Sequence, residues 1–312
     1  MLASSPAVVA QTYKWVDEKG ITHLSNEPPF GGKETADKPQ KKKIDESKET
    51  QRGLDEETAL KGAEAAFNSK DYAKAFSLLK PLAERGNPRA QNGLGLIYAS
   101  GLIAPKDLNE AFKWHQKAAE QGYGLAQYYL GLMYADGAGV PKDAAEGAKW
   151  LRKAAEQGVP DAQFTLGVMY AKGEGLEKDS RQAAVWYRKA ADQGHAFAQH
   201  NLALIYASGE GVTQHQGEAF RWEQKAAEQG DPNAQYRLGT LYAKGEGVRQ
   251  NYDEAFKWIR KAAEQGNPLA QYSLGFMYAN GRGVTRDNGE AAKWLRKAAE
   301  QGVEQAPPYW SE

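Results

Sequence analysis

Cysteine is absent from this chain of 312 residues, and basic and acidic residues balance at 40 each. The lack of cysteine excludes disulfide bonds, a thiol nucleophile and any metal site with cysteine ligands. A net charge of zero gives no general electrostatic reason to bind nucleic acid or an anionic membrane. No window reaches the ~18 apolar residues that a membrane-spanning helix needs. The function must therefore be sought in the pattern of the residues that are present.

Those residues repeat with a period of 36. Three markers recur at this interval in six copies: the pair Ala-Gln, a tyrosine and a tryptophan. The pairs start at Ala90, Ala126, Ala162, Ala198, Ala234 and Ala270; the tyrosines are Tyr98, Tyr134, Tyr170, Tyr206, Tyr242 and Tyr278; the tryptophans are Trp114, Trp150, Trp186, Trp222, Trp258 and Trp294. A period of about 20 to 50 residues is typical of a solenoid, whose units bury their apolar faces against their neighbours. The shared residues form a scaffold, so function must depend on the positions at which the copies differ.

Each unit has the signals of two helices. A glycine ends the previous helix, and Asn87-Pro88 then supplies an N-cap followed by proline at the first helical position. In the first full copy this predicts helix A over residues 88–100 and helix B over 108–121, joined by a glycine turn. A degenerate helix pair, 59–69 and 72–84, precedes it. The predicted array covers residues 57–302 and is followed by a tail, 303–312.

Three segments precede the array. Residues 1–10 have the small and apolar composition of the end of a signal peptide, without its basic beginning. Residues 11–30 predict a β-hairpin module, with β-prone runs at 13–16 and 21–25 around a turn that ends in Gly20. Residues 31–56 are rich in lysine and glutamate and predict a flexible linker.

The hairpin segment resembles a short bacterial domain of unknown function that follows export signals. Its pattern, Trp-Val-Asp-x-x-Gly-x-x-His-x-Ser-Asn-x-Pro-Pro, is matched from Trp15 to Pro29. The resemblance implies no activity, but it favours a periplasmic or secreted protein. The alternative is a cytoplasmic protein with an unstructured N-terminus.

The repeats themselves resemble the Sel-one-like repeat, a relative of the tetratricopeptide repeat. The shared pattern is Ala-Gln-x-x-Leu-Gly-x-x-Tyr, then Gly-x-Gly-Val, then Ala-x-x-Trp-x-x-Lys-Ala-Ala-Glu-Gln-Gly. The resemblance implies an all-α, right-handed superhelical solenoid of antiparallel helix pairs that acts as a protein-binding adaptor. One cysteine-rich subclass is associated with β-lactam binding or hydrolysis, and the absence of cysteine argues against it here.

Helical geometry separates the scaffold positions from the variable ones. At 100° per residue, the repeated positions of helix A fall on one half of its surface. The positions of residues 89, 93, 96 and 100 fall on the other half and differ between copies. Because A helices line the concave groove of such solenoids, we expect the groove to bind the partner. The candidate binding residues are Tyr129, Asp136, Lys172, Phe197, Arg237, Lys244 and Phe276.

Two aromatic series leave alternatives open. The position of residue 92 is mostly aromatic, as at Tyr128 and Phe164, and fits either the groove or the core between repeats. The tryptophans of helix B could form a sugar-stacking ladder, but their regularity favours a core role.

No catalytic pattern is present. His115 occupies a position that holds Leu151, Tyr187, Glu223, Ile259 and Leu295 in the other copies, which indicates a filler of the core. His195 and His200 are five residues apart and do not share a helix face as a metal pair would. The sequence predicts no cofactor and no enzyme, but an adaptor for a protein or peptide. The alternatives are a β-lactam-binding or hydrolytic enzyme of the cell envelope and a peptidoglycan-binding protein. A monomer is expected, with the C-terminal end as the alternative surface for self-association.

Overall fold

The computed structural model describes residues 13–16, 22–25, 39–103 and 105–303, with side chains from residue 53 onward. It divides into two units, 1–56 and 57–312. The predicted signal remnant, 1–10, and most of the predicted tail, 304–312, lie outside the described residues. None of the described helices is both long enough and apolar enough to cross a membrane.

In the first unit, two strands match the predicted hairpin. β1 spans Tyr13–Val16 and β2 spans Thr22–Ser25, and they pair antiparallel with Tyr13 opposite Ser25.

From residue 57 onward the chain is built of helix pairs, so the predicted solenoid is confirmed; the first helix begins earlier, at Pro39 in the first unit. The helices are α1 Pro39–Asn68, α2 Tyr72–Glu84, α3 Pro88–Ser100, α4 Leu108–Glu120, α5 Gly124–Asp136, α6 Ala144–Glu156, α7 Pro160–Lys172, α8 Ser180–Asp192, α9 Ala196–Ser208, α10 Gln216–Glu228, α11 Pro232–Lys244, α12 Tyr252–Glu264, α13 Pro268–Asn280 and α14 Asn288–Glu300. From α3 onward, odd-numbered helices are A helices and even-numbered ones are B helices. From α2 to α13, each helix packs against the next one in sequence.

Helix α1 differs from the prediction. It begins at Pro39, inside the segment predicted as a flexible linker over residues 31–56. The prediction rested on the lack of apolar residues, which argues against burial in a core. Lysine, glutamate and glutamine nevertheless have good intrinsic helix propensity, so this composition does not prevent a helix.

The turns between helices A and B hold neighbouring repeats close together. Gly175 has a φ of +69°, in the left-handed region that favours glycine. A Cβ at this position would lie 2.2 Å from the carbonyl oxygen of Ala144 at the start of α6. The same close approach occurs at Gly139 and Gly247, where a Cβ would also meet a backbone oxygen at 2.2 Å. The second glycine of the turn is therefore a packing requirement, as its recurrence suggests.

The invariant Ala-Gln pair has a structural explanation. The alanines are fully buried, and each glutamine bridges two B helices. Gln163 Nε2 donates to the carbonyl oxygen of Ala155, and its Oε1 accepts from Gln193 Nε2 at 2.7 Å. Equivalent bonds join Gln127 to Gln157 and Gln271 to Gln301. The glutamines form a hydrogen-bonded ladder along the array.

Breaking one rung of this ladder should destabilise the array. Gln163→Leu removes two hydrogen bonds, the one to the carbonyl oxygen of Ala155 and the one from Gln193, and should lower the unfolding free energy by about 2 kcal/mol. The measurement is urea unfolding followed by circular dichroism, with Gln182→Leu on the exposed side of α8 as the matched control. Equal unfolding midpoints for the two variants would show that the ladder contributes nothing measurable.

The tryptophans of the B helices are core residues, as their regularity indicates. All six are buried or half-buried. A lysine three residues later covers each ring, with Nζ 3.8 to 4.4 Å from the ring centroid. This cation–π contact occupies a ring face that a sugar-stacking ladder would need.

Candidate functional site

The A-helix face carries all seven residues that the sequence analysis selected. Asp136, Lys172, Phe197 and Lys244 are exposed, whereas Tyr129, Arg237 and Phe276 are half-buried. Tyr129 lies in the second full repeat and Phe276 in the sixth, with three repeats between them, and each of the seven residues has its own local contacts.

The two lysines lie at the C-terminal ends of their helices. Lys172 pairs with Glu174 at 3.6 Å, and Lys244 with Glu246 at 3.3 Å. Each glutamate belongs to the glycine turn that follows. Exposed ion pairs of this kind contribute little to stability. The two lysines are therefore surface residues that the fold does not require.

Phe197 is the most exposed of the aromatic candidates, with 56% of its surface accessible. Its ring lies 6.2 Å from Phe164 and 6.1 Å from His195. His195 caps α9 through Nδ1, which accepts from the backbone N–H of Ala198, and its Nε2 lies 3.3 Å from Asp161 Oδ1. These contacts hold the rings of Phe164, His195 and Phe197 together, and the Phe197 ring remains exposed to solvent.

Tyr129 and Phe276 are tied to their surroundings. The Tyr129 ring stacks on the buried His115 ring, with 5.1 Å between centroids. Phe276 packs against the core of the fifth and sixth repeats and lies under the guanidinium of Arg282 at 5.5 Å. Both therefore offer only part of their surface to a partner.

A pairing between helices A and B underlies these contacts. We call the position of His115 on helix B the slot position and the position of Asn92 on helix A the facing position. In the first repeat, His115 Nδ1 lies 3.1 Å from Asn92 Oδ1. In the fourth, His200 Nδ1 lies 2.6 Å from Glu223 Oε1. The other copies have an aromatic residue at the facing position and an apolar or aromatic residue at the slot position: Tyr128 and Leu151, Phe164 and Tyr187, Tyr236 and Ile259, and Tyr272 and Leu295.

This pairing resolves what the sequence left open about the facing position. Its residues are buried or half-buried between the helices, so they belong to the packing rather than to the exposed groove. The prediction that His115 is a filler is correct about its burial but misses its partner. The signal was present in the sequence, because polar slot residues occur only with polar facing residues 23 positions earlier.

The fourth repeat concentrates charge at the slot. Glu223 is completely buried, and its Oε2 lies 3.2 Å from Nε of Arg237, which belongs to the next A helix. The angle of that contact does not meet hydrogen-bond geometry, so it is an ion pair. The arrangement links α9, α10 and α11 through His200, Glu223 and Arg237. We call these three residues the charge cluster.

Burial changes the proton affinity of both polar slot residues. Desolvation raises the pKa of Glu223, and the charges of His200 and Arg237 oppose this effect. Desolvation lowers the pKa of His115 to about 4, so this side chain is neutral at pH 7.

The charge cluster also explains an exception in the repeat pattern. A glycine faces the slot in five copies, and a Cβ there would lie 2.5 to 2.7 Å from the slot side chain. In the fourth copy this residue is Ala203. Its slot residue is Glu223, an unbranched side chain whose carboxylate is turned toward His200 and Arg237.

A cleft of about 610 Å³ has Arg237 of the charge cluster in its wall. Its lining includes Asn201, Leu204 and Ser208 of α9, Gln216 of α10 and Arg237 of α11. Arg237 is the one predicted site residue in this wall. Among the described residues, no group of histidine, aspartate and glutamate side chains is arranged to hold a metal ion. The lining of the cleft offers charged groups, hydrogen-bonding groups and apolar surface.

Comparison with known proteins identifies the repeats. The sequence model of the Sel1 repeat matches residues 69–87, 88–123, 124–159, 160–195, 196–231, 232–267 and 268–303. The chain belongs to the Sel1 repeat family. A second model, for a domain of unknown function (DUF4124), matches residues 1–57. The first of the seven matches, 69–87, covers α2 alone, so the segment before α3 contributes a partial seventh repeat.

Solved structures that share this fold include two with high coverage of this chain. The first is c5321, a protective antigen of uropathogenic Escherichia coli, with 42% identity and a TM-score of 0.71 over 73% of this chain. The match covers 49% of that protein, so this chain spans about half its length. The second is a Sel1 repeat protein from Oxalobacter formigenes, with 38% identity and a TM-score of 0.70, covering 78% of this chain and 99% of that one. The search of curated proteins found no match.

Proposed function

We propose that this Sel1 repeat protein is a non-enzymatic adaptor that binds a protein or peptide on its A-helix face. The observation that carries the proposal is the distribution of exposed apolar side chains. Within the regular repeats, the A helices expose Leu125, Phe197, Leu204 and Leu269, whereas the described B helices expose only Val185 among large apolar residues. Exposed apolar and aromatic residues on one face are typical of interfaces.

The scaffold supports the same proposal. Invariant alanines, glutamines and tryptophans hold the repeats together, and the A-helix face varies between copies without disturbing them. A partner can therefore be recognised through residues that the fold does not need. Export to the periplasm or the medium is part of the proposal, because the N-terminal domain resembles domains that follow export signals. Finding the native protein only in the cytoplasmic fraction would contradict export.

Substitutions copied from other repeats test the binding face. Asn233 occupies the position of Leu125, Phe197 and Leu269 in its own repeat, so Leu125→Asn, Phe197→Asn and Leu269→Asn should be compatible with the fold. We expect the triple variant to capture its partner at least ~10-fold less well in a crosslinked pull-down from native envelope extract, since interface anchors each contribute on the order of 1 kcal/mol or more.

Val185→Asn is the matched control, because Val185 is 46% exposed but lies on a B helix. It should capture the partner as the unmodified protein does. If the control loses capture and the triple variant keeps it, the binding surface lies on the B helices and the proposal is wrong. The double variant Tyr129→Ala with Arg237→Ala is a poorer test, because it removes contacts to the buried His115 and Glu223.

A further inference from the structure

The charge cluster prepares Arg237 to bind an anion. Its Nε faces the buried Glu223, yet 31% of the side chain is exposed and forms part of the cleft wall. Guanidinium carries five N–H donors in a fixed plane. Nε is buried beside Glu223 Oε2 and makes no hydrogen bond to it, so we assign the two terminal nitrogens to the exposed part of the side chain that faces the cleft. Because Glu223 holds the guanidinium, little side-chain entropy is lost when a ligand binds.

Arg237 differs in this respect from the cations around it. Lys172, Lys178 and Lys244 pair with glutamates of the glycine turns, all at the surface. The carboxylate that pairs with Arg237 is instead that of Glu223, which is buried in the core. Glu210 and Glu246 also line the cleft, but Glu210 pairs with Lys178 and Glu246 pairs with Lys244, whereas the ion-pair partner of Arg237 is the buried Glu223.

A second polar atom in the same wall points to the rest of the ligand. Gln216 Oε1 is buried and has no hydrogen-bond partner among the described residues. Gln216 Nε2 donates to the carbonyl oxygen of Ala207 at 3.3 Å, which fixes the orientation of the amide. An unsatisfied buried acceptor is costly, and a ligand N–H group would satisfy it. A cleft that offers guanidinium donors and an amide acceptor suits a peptide, which brings a carboxylate and main-chain N–H groups.

We propose that this cleft binds an aspartate or glutamate side chain of an extended peptide on Arg237, with a main-chain N–H of the peptide donating to Gln216 Oε1. The inference rests on the adaptor function proposed above and specifies its partner as acidic. An internal side chain is chosen over a terminal carboxylate because the A-helix face continues on both sides of the cleft. It carries exposed Leu125 in the second full repeat and Leu269 in the sixth.

The charge cluster can be removed without leaving an unpaired charge if its residues are replaced by those at the equivalent positions of the next repeat. The quadruple variant His200→Tyr, Ala203→Gly, Glu223→Ile and Arg237→Ser reproduces Tyr236, Gly239, Ile259 and Ser273. The Ala203→Gly change is needed because a Cβ facing isoleucine at the slot would lie 2.5 Å from it, as at Gly239. We call this protein the swap variant.

The test uses three pools of fluorescent random octapeptides and the full chain. The first pool has one central glutamate and an amidated C-terminus, the second has a free C-terminal carboxylate and no acidic side chain, and the third has neither. Fluorescence anisotropy should show the unmodified protein binding the glutamate pool on the order of 10-fold more tightly than the neutral pool, as a charge-assisted hydrogen bond requires. The swap variant should lose this preference, and Val185→Asn should keep it.

Equal affinity for all three pools, or a glutamate preference retained by the swap variant, would overturn the inference. A preference for the terminal-carboxylate pool alone would overturn the assignment to an internal side chain. The adaptor function is tested separately. If the Leu125, Phe197 and Leu269 variant loses partner capture while the swap variant keeps it, the adaptor function stands and the acidic specificity fails.

Discussion

Glu223→Ala is expected to lower the unfolding free energy by about 3 kcal/mol, whereas the swap variant should be as stable as the unmodified protein or more so. Removing one partner of a buried ion pair leaves the other charge, here Arg237, uncompensated, at a cost of roughly 3–5 kcal/mol. The lower value applies because His200 and Arg237 are partly exposed. Replacing a whole buried ionic group by well-packed apolar residues is often neutral or stabilising by about 1–4 kcal/mol.

Urea unfolding at pH 7 measures both variants against the unmodified protein. A swap variant several kcal/mol less stable than Glu223→Ala would show that the charge cluster is a source of stability. If Glu223→Ala is the least stable protein and the swap variant is at least as stable as the unmodified one, the charge cluster does not stabilise the fourth repeat. That result would be consistent with a role in recognition, because the neighbouring repeats fold with Ile259 or Tyr187 at the slot.

Acid should destabilise the N-terminal repeats through His115. Its pKa falls from 6.5 in the unfolded chain to about 4 in the folded protein, so the unfolded state binds more protons between these values. The stabilisation from keeping His115 neutral is complete above pH 6.5 and is lost as the pH falls to 4. The loss amounts to about 3 kcal/mol at 1.36 kcal/mol per unit.

A repeat-copied variant isolates this effect from the carboxylates. Asn92→Tyr with His115→Leu reproduces Tyr128 and Leu151 of the next repeat, and the glycine that faces the slot, Gly95, is already present. Plotted against pH, the difference in unfolding free energy between the two proteins should change between pH 6.5 and 4 and be flat above pH 6.5. Parallel pH profiles would mean that His115 titrates in the folded state as it does in the unfolded chain.

Much of the helical architecture could be predicted from the sequence because the same helix signals recur in six copies of the repeat. The sequence predicts helix A over residues 88–100 and a preceding helix over 72–84, and α3 and α2 have these bounds. Glycine and Asn-Pro signals set the ends locally, so no knowledge of tertiary contacts was needed. The start of α1 was missed because low hydrophobicity reports on burial, whereas helix formation also depends on intrinsic propensity.

The candidate site was predicted less completely. Periodicity placed Phe197 and Arg237 on the variable face, and the structure leaves Phe197 exposed and brings Arg237 into the cleft. It could not show that Arg237 is tied to Glu223, because that contact joins different repeats and depends on side-chain direction. The pairing of His200 with Glu223 was accessible in principle, since the copies serve as an alignment of the chain with itself.

The most direct test of the adaptor proposal is site-specific photo-crosslinking in the native host. A benzophenone amino acid would replace Phe197 on the A-helix face or Val185 on a B helix, two exposed apolar positions in adjacent helices. The account predicts a discrete adduct with another protein from position 197 and none from position 185. Adducts from position 185 alone, or only adducts between two copies of this chain, would contradict it.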